Sequence, residues 1–178
     1  MFFLDGAHLI HSAKLSVVWS ERRLFVKANS GRKRLNVLGA LDAVSNEMIY
    51  VMNDTVVNAW TIAELFRKIR KECPEGAISI FLDNARYQKC HVAQSAANMM
   101  KIDLVFLPPY SPNLNLIERA WKFIRSRCLN SKYYPSFTEH CEAIVSCINK
   151  FADEFKHDLK SLFKWNFQVF KNQHFMPS

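Results

Sequence analysis

Two aspartates follow short apolar runs and could bring their carboxylates to one site. Asp5 follows FFL and Asp83 follows IFL, so each is expected at the end of a buried strand. In open α/β sheets, functional groups collect at the carboxyl ends of the strands. Two acids placed there repel each other unless a cation neutralises them, and hard divalent ions such as Mg²⁺ prefer oxygen ligands. The pattern predicts a metal site, although a single strand-end aspartate is more commonly a cap or turn residue.

A third carboxylate, Glu118, stands at the border of the apolar face of a predicted helix over residues 114–128. It follows Ile117, which belongs to the apolar stripe, and one residue corresponds to about 100° of helix rotation. Lys122 and Arg125 follow at i+4 and i+7 on the same side. This arrangement fits two interpretations. In the first, Glu118 and the two cations support the helix by weak side-chain interactions. In the second, they present a carboxylate and flanking cations to a phosphate-containing substrate.

The elements that must position these acids alternate between strands and helices. The predicted strands cover residues 2–4, 15–19, 35–43, 47–52, 78–82 and 103–107. The predicted helices follow Asn58, cover 89–101 and 114–128, and begin at Ser136, the last with an apolar face that runs to Phe155. A strand–helix–strand crossover makes the flanking strands parallel. The order therefore predicts an α/β fold with a mixed central sheet and helices on both faces, in three layers.

The composition indicates which kind of partner and which cellular compartment to expect. The 178 residues carry a formal net charge of +8, which favours a polyanionic partner. No apolar run approaches the ~20 residues that span a bilayer, so no membrane association is expected. Five cysteines without a CxxC pair indicate reduced thiols in a cytoplasmic protein. A basic stretch between the early strands is either a solvated loop or a nucleic-acid contact; its candidate DNA-binding residues are Arg22, Arg23, Arg32, Lys33 and Arg34.

Three segments, FLDGAH, IFLDNAR and LVFLPPYSPNLNLIERAW, resemble the catalytic domain of DDE transposases of the mariner superfamily, in its bacterial insertion-sequence branch. Thirty-four residues separate Asp83 from Glu118, a spacing similar to that of this branch. The resemblance covers residues ~1–130 and implies a ribonuclease H-like fold. It also implies that Asp5, Asp83 and Glu118 are the catalytic and metal-binding residues. The chain departs from the family at Leu116, where proline is common, and at Gln88, where histidine is frequent.

The resemblance implies metal-dependent cleavage of DNA strands and their transfer to target DNA. Two Mg²⁺ or Mn²⁺ ions would lie in the site, with Asp5 bridging both and Asp83 and Glu118 each holding one. Water attacks first, and a freed 3′-hydroxyl then attacks the target. Asn84 and Arg86 follow Asp83 closely and are candidates to orient it or to contact phosphate. The expected partners are transposon ends, target DNA and a second copy of the chain in a homodimer.

We expect residues 1–178 to form one catalytic domain, with a core over about 1–130 and a C-terminal helical part over about 131–178. We expect the N-terminal helix-turn-helix domain of such transposases to be absent, with recognition of the DNA ends elsewhere. A bacterial, cytoplasmic and nucleoid-associated location would follow. Two alternatives stay open: a non-catalytic or truncated DNA-binding or assembly remnant, and a ribonuclease H-like nuclease that acts on another nucleic acid. For His8 and His11, structural or supporting roles are favoured over zinc binding.

Overall fold

Five strands form one mixed sheet in the computed structural model, which describes residues 1–12, 21, 25, 27 and 33–166. The strands are β1 (Phe2–Ile10), β2 (Arg34–Asp42), β3 (Met48–Asn53), β4 (Ile78–Leu82) and β5 (Ile102–Phe106). Their order across the sheet is β3-β2-β1-β4-β5. The first three are antiparallel neighbours, whereas β4 runs parallel to both β1 and β5. The predicted mixed sheet is therefore confirmed, while the strand predicted over 15–19 lies outside the described residues.

The described helices are α1 (Ala59–Glu72), α2 (His91–Met99), α3 (Ile117–Ile124), α4 (Phe137–Asn149) and α5 (Lys156–Leu162). As predicted, α1 begins after Asn58, whose side chain accepts hydrogen bonds from the next backbone N–H groups of the helix. Ser136 caps α4 by accepting from the N–H of Glu139. None of the described helices is long and apolar enough to cross a membrane.

Two helix predictions were wrong in their extent. The single helix expected over 114–128 consists of a 3₁₀ turn (Pro112–Leu114), α3 and a π-helical turn (Arg125–Leu129). The last long helix ends at Asn149, so Phe155 precedes α5 instead of extending the apolar face of α4. In both cases the apolar period continues across a change of backbone geometry, because side-chain spacing alone does not distinguish one helix type from the next.

Two apolar cores lie on the two faces of the sheet. Helices α1 and α2 cover one face, and α3, α4 and α5 cover the other. Side chains alternate along a strand, so Leu4 packs toward α1 while Phe3 and Ala7 pack toward α3. Asp5 shares the parity of Phe3 and Ala7. Its carboxylate therefore lies on the face that α3 covers, which is the helix that carries Glu118.

Strand β1 does not end at Asp5, contrary to the prediction. Its parallel pairing with β4 stops at Leu4 opposite Leu82, but its antiparallel pairing with β2 continues to Ile10. Gly6 and the polar residues after it suggest a turn, yet β2 supplies a partner for each of them. Asp5 thus lies inside a continuous strand at the point where its neighbour β4 ends, and Asp83 follows β4 directly. Asp5 and Asp83 therefore lie at the same edge of the sheet, as expected. The pairing with β2 also fixes the backbone of Asp5.

Candidate active site

Asp5, Asp83 and Glu118 line a single cleft of about 370 Å³. Asp83 is exposed, whereas Asp5 and Glu118 are partly buried. The remaining walls come from the loops after β4 and β5 and from the 3₁₀ turn: Asn84, Ala85, Leu107, Pro108, Pro109, Tyr110, Ser111, Pro112 and Asn115. Over the part of the chain that the structure describes, no three His, Cys, Asp or Glu side chains are grouped to hold one ion together. The three acids share a cleft without converging on one point.

The environment of Asp5 disfavours its ionised form. Burial raises its pKa from the ordinary value of 3.8 to about 7, and the charges of Glu118 and then Asp83 contribute in the same direction. Hydrogen bonds from the Gly6 backbone and the Trp121 side chain oppose this rise. In the absence of a cation, this environment therefore favours the protonated carboxyl of Asp5. A cation next to it would stabilise the ionised form.

Trp121 fixes the orientation of Asp5. The buried indole Nε1 donates a hydrogen bond to Oδ2 of Asp5 at 3.1 Å. On β2, the residue opposite Asp5 is Gly39. A Cβ at Gly39 would lie 3.0 Å from the ring of Trp121 and 3.2 Å from Ile117. Glycine at this position therefore leaves the space in which the indole reaches the carboxylate. Sequence reasoning placed Trp121 only in the apolar stripe, and the glycine inside a strand was the available signal.

Asn84 connects the two loops that form the cleft wall. Its side-chain Nδ2 donates to the carbonyl of Leu107 at 2.6 Å, and the N–H of Leu107 donates to the carbonyl of Leu82 at 2.9 Å. Next to it, the N–H of Ala85 donates to Oδ1 of Asp83 at 3.3 Å. These bonds hold the loop after β4 against the loop after β5 and give Asp83 a defined backbone contact. The amide nitrogen of Asn84 is thus engaged within the fold.

Asn115 is a buried polar residue of the cleft that sequence reasoning missed. Its Nδ2 donates to the carbonyl of Leu4 at 3.1 Å, which ties the 3₁₀ turn to β1 just before Asp5. Its Oδ1 is buried and has no hydrogen-bond partner among the described residues. Three carboxylates and a nearby amide oxygen are the kinds of donor that hard divalent cations accept. The residues present therefore fit a divalent metal ion.

Tyr87 places a protonated hydroxyl close to the acids. Its oxygen lies 3.4 Å from the position that a Cβ on Gly6 would take. Burial raises the pKa of Tyr87 to about 12, and the charges of Asp5 and Asp83 add to the effect. The hydroxyl consequently stays protonated and can donate a hydrogen bond. The next residue, Gln88, is fully buried and does not line the cleft.

Two of the predicted basic contacts lie on the segment that carries Glu118. Lys122 is exposed and lines a second cleft that adjoins the first through Asn115 and Glu118. Arg125 is partly buried and opens the π-helical turn. Arg86 is exposed in the loop after β4. Lys122 therefore lines a cleft together with Glu118, one of the three acids.

Two of the five candidates in the predicted basic stretch, Lys33 and Arg34, lie among the described residues. Arg34 is the first residue of β2, and its guanidinium donates to the carbonyl of Thr55 at 3.5 Å. The ammonium of Lys33 lies 5.7 Å from the centre of the Phe137 ring. Both residues therefore contact the fold and do not belong to a free loop. Three further candidates lie outside the described residues: Arg22, Arg23 and Arg32.

The two N-terminal histidines have structural partners, as favoured from the sequence. Nδ1 of His8 lies 2.6 Å from Oδ1 of Asn36. His11 is buried, and its Nε2 lies 2.9 Å from the carbonyl of Tyr134. Neither histidine lines the cleft that contains the three acids.

Arg119, the neighbour of Glu118, holds the segment after α5. Its guanidinium donates to the carbonyls of Leu162 at 2.9 Å, Lys164 at 2.7 Å and Asn166 at 2.7 Å. Asn166 in turn lines the second cleft together with Glu118. Arg119 therefore brings the C-terminal segment beside the helix that carries an acid of the site. Its position in IERAW gave no sequence signal for this role.

Comparison with known proteins identifies the family. Residues 1–141 match the family described as DDE superfamily endonuclease. The chain belongs to this family. An uncharacterized protein of Sinorhizobium fredii, y4pE/y4sA, is 29% identical over 92 residues, which cover 51% of this chain and 66% of the relative.

Solved transposase structures share the fold. The mariner Mos1 paired-end complex with Mg aligns with a TM-score of 0.63 at 14% identity, covering 93% of this chain and 56% of that one. The catalytic domain of Mos1 mariner transposase aligns with a TM-score of 0.52 at 15% identity, over 83% of this chain and 81% of that one. The ribonuclease H-like fold expected from the sequence is confirmed. The chain spans about half the length of the transposase in the paired-end complex.

Proposed function

We propose that this chain is the catalytic domain of a transposase that cuts DNA strands and transfers them to a target with the help of divalent metal ions. One observation carries the proposal. In a chain of the DDE endonuclease family, three acids from β1, from the end of β4 and from α3 line one cleft: Asp5, Asp83 and Glu118. Family membership alone would leave open whether these acids share a site.

Asp5, Asp83 and Glu118, which line one cleft, would hold two Mg²⁺ or Mn²⁺ ions. The raised pKa of Asp5 and the unpaired oxygen of Asn115 also favour a cation here. When bound, the ions would activate the attacking oxygen and stabilise the leaving oxygen of a phosphodiester.

Other side chains of the protein would position the acids and neutralise the charge of the DNA backbone. The indole of Trp121 donates a hydrogen bond to the carboxylate of Asp5, and Asn84 ties the loop that follows Asp83 to the loop after β5. Tyr87 contributes a hydroxyl that stays protonated and can donate. Lys122 extends a positive charge beside the cleft, where a DNA backbone would pass. Precise placement of this kind lowers the barrier of phosphoryl transfer, since positioning and charge stabilisation supply most of the catalysis.

DNA is the proposed partner, both as transposon ends and as target. The Mos1 structures include paired-end and strand-transfer complexes, and the net charge of +8 suits a polyanion. Pairing of two subunits on the DNA, a bacterial nucleoid location, and the division into a core and a C-terminal helical part stay predictions. Contacts from the exposed Arg86 and Lys122 and from the partly buried Arg125 would strengthen binding in a salt-dependent way.

A plasmid cleavage assay tests the proposal. The full chain is incubated with supercoiled plasmid that carries the element's terminal repeats and Mg²⁺ or Mn²⁺, and nicked and linear products are quantified. We expect Asp83→Asn and Glu118→Gln to lower the rate by about a hundredfold or more, because losing even an indirect metal contact costs 10–100-fold. The matched controls are Asp103→Asn and Glu75→Gln, exposed acids away from the cleft. Equal rates for wild type and Asp83→Asn would refute the assignment.

The same assay separates the alternatives. A non-catalytic remnant would bind DNA without metal-dependent turnover, even though all three acids are retained. A nuclease for another nucleic acid would cut an RNA–DNA hybrid of the same sequence faster than the duplex DNA. Of the three functions compared, only a transposase would give products of strand transfer, detected as joined end and target strands.

A further inference from the structure

The cleft contains one aromatic side chain among the described residues that line it, Tyr110. Tyr110 lies in the loop after β5, and its side chain is fully exposed at 102% of the reference area. Large aromatic rings usually gain stability by burial against neighbours. The ring of Tyr110 contributes no such burial to the fold, yet it stands at the entrance to the three acids.

The loop holds Tyr110 in an unfavourable backbone conformation. Its φ of 57° lies in the left-handed region, which bulky residues rarely adopt. Pro109 and Pro112 on either side have fixed φ angles. The hydroxyl of Ser111 donates to the carbonyl of Pro109 at 3.3 Å, and the N–H of Leu114 donates to the carbonyl of Ser111 at 3.0 Å. Glycine or asparagine would adopt this conformation at lower cost, so the tyrosine is not explained by the turn.

Strained residues that persist at a cleft indicate a role in binding. We propose that the ring of Tyr110 stacks on an unpaired nucleobase next to the phosphate that is cut, and so holds the DNA end in the cleft. This inference rests on the proposed function, which supplies DNA as the substrate. Every nucleobase has a flat π-face, so an exposed aromatic ring binds it without regard to sequence. A base within an intact duplex is covered by its neighbours, so the occupant is an unpaired base.

Fluorescence and binding measurements with the full chain test this inference. The probe is a duplex with a short single-stranded overhang that contains 2-aminopurine, compared with a blunt duplex of the same sequence, in Ca²⁺. We expect wild type to prefer the overhang and to quench its fluorescence. Tyr110→Phe should behave like wild type, because it keeps the ring. Tyr110→Leu should lose the quenching and bind the overhang about tenfold more weakly, with the blunt duplex unaffected.

The matched control is Tyr133→Leu, which removes an exposed tyrosine outside the cleft and should bind and quench like wild type. Three results would overturn the inference: normal quenching by Tyr110→Leu, an equal loss in Tyr110→Phe, or equal binding of both duplexes by wild type. Equal loss in the phenylalanine variant would assign the contact to the hydroxyl. Wild type that quenches but cuts no plasmid would refute the proposed function and leave the stacking intact. If wild type cuts the plasmid and Tyr110→Leu binds the overhang normally, the stacking alone is refuted.

Discussion

Replacing Asp5 by asparagine should stabilise the metal-free protein at alkaline pH while abolishing its proposed activity. The pKa of Asp5 is about 7 in the folded protein, against an ordinary value of 3.8. Between these values the folded state binds more protons than the unfolded state, so the free energy of unfolding falls as pH rises from about 4 to about 7. The difference corresponds to about 4 kcal/mol at full ionisation. Asparagine keeps the shape and carries no charge, so it avoids this cost.

Urea denaturation with EDTA at a series of pH values measures the effect. We expect Asp5→Asn and wild type to have similar free energies of unfolding near pH 4, and the variant to be more stable by up to about 4 kcal/mol at pH 8. Comparing the two proteins at each pH cancels all other titrating groups. Asp103→Asn, an exposed substitution on β5, serves as the control and should change stability by less than about 0.5 kcal/mol.

The same denaturation measurement with added Mg²⁺ tests whether Asp5 binds the ion. At pH 8 the ion should raise the stability of wild type and leave Asp5→Asn unchanged, because only a state that binds the ligand gains free energy from it. A stability difference that does not vary with pH would refute the reasoning about Asp5. So would a wild-type protein that is more stable than the variant at pH 8 without metal.

Further substitutions test how the site is built. Trp121→Phe removes the hydrogen bond to ionised Asp5, so the pKa of Asp5 should rise above 7 and the pH–rate profile of plasmid cleavage should shift to higher pH. Gly39→Ala should lower the free energy of unfolding by about 1–3 kcal/mol in urea titrations, because its Cβ meets the Trp121 ring; Gly6→Ala, with an ordinary contact, should cost less. Arg119→Met should speed proteolytic cleavage after α5, since three carbonyls lose their donor; unchanged digestion would contradict that role.

Much of the sheet and the first helix could be predicted because their signals are local. The apolar run before Asp83, which only Ser79 interrupts, predicted β4 with the bounds that the structure gives. Asn58 and the apolar spacing after it predicted α1, since capping and the helical period act within a few residues. The acids at the ends of such runs were then expected near one another because functional groups collect at the carboxyl ends of the strands in open α/β sheets. That β1 and β4 are parallel neighbours is shown by their pairing in the structure.

Other features depend on contacts that the local sequence does not contain. The continuation of β1 beyond Asp5 depends on pairing with β2, which lies about thirty residues away in the chain. The hydrogen bond from Trp121 to Asp5 requires Gly39 on a third segment to leave room for the ring. The roles of Asn115 and Arg119 likewise arise from partners distant in sequence. These contacts could not be predicted from the sequence, because they form only when elements that are distant in the chain pack together.

The arrangement of the metal site is the central claim, and anomalous diffraction from crystals grown with Mn²⁺ tests it most directly. The account predicts two manganese peaks in the cleft, both in contact with Asp5, one also held by Asp83 and the other by Glu118. Crystals of Asp5→Asn should lose both peaks, whereas Asp83→Asn and Glu118→Gln should each lose or weaken the one they hold. Manganese bound elsewhere, or a cleft without ions at saturating Mn²⁺, would contradict the account.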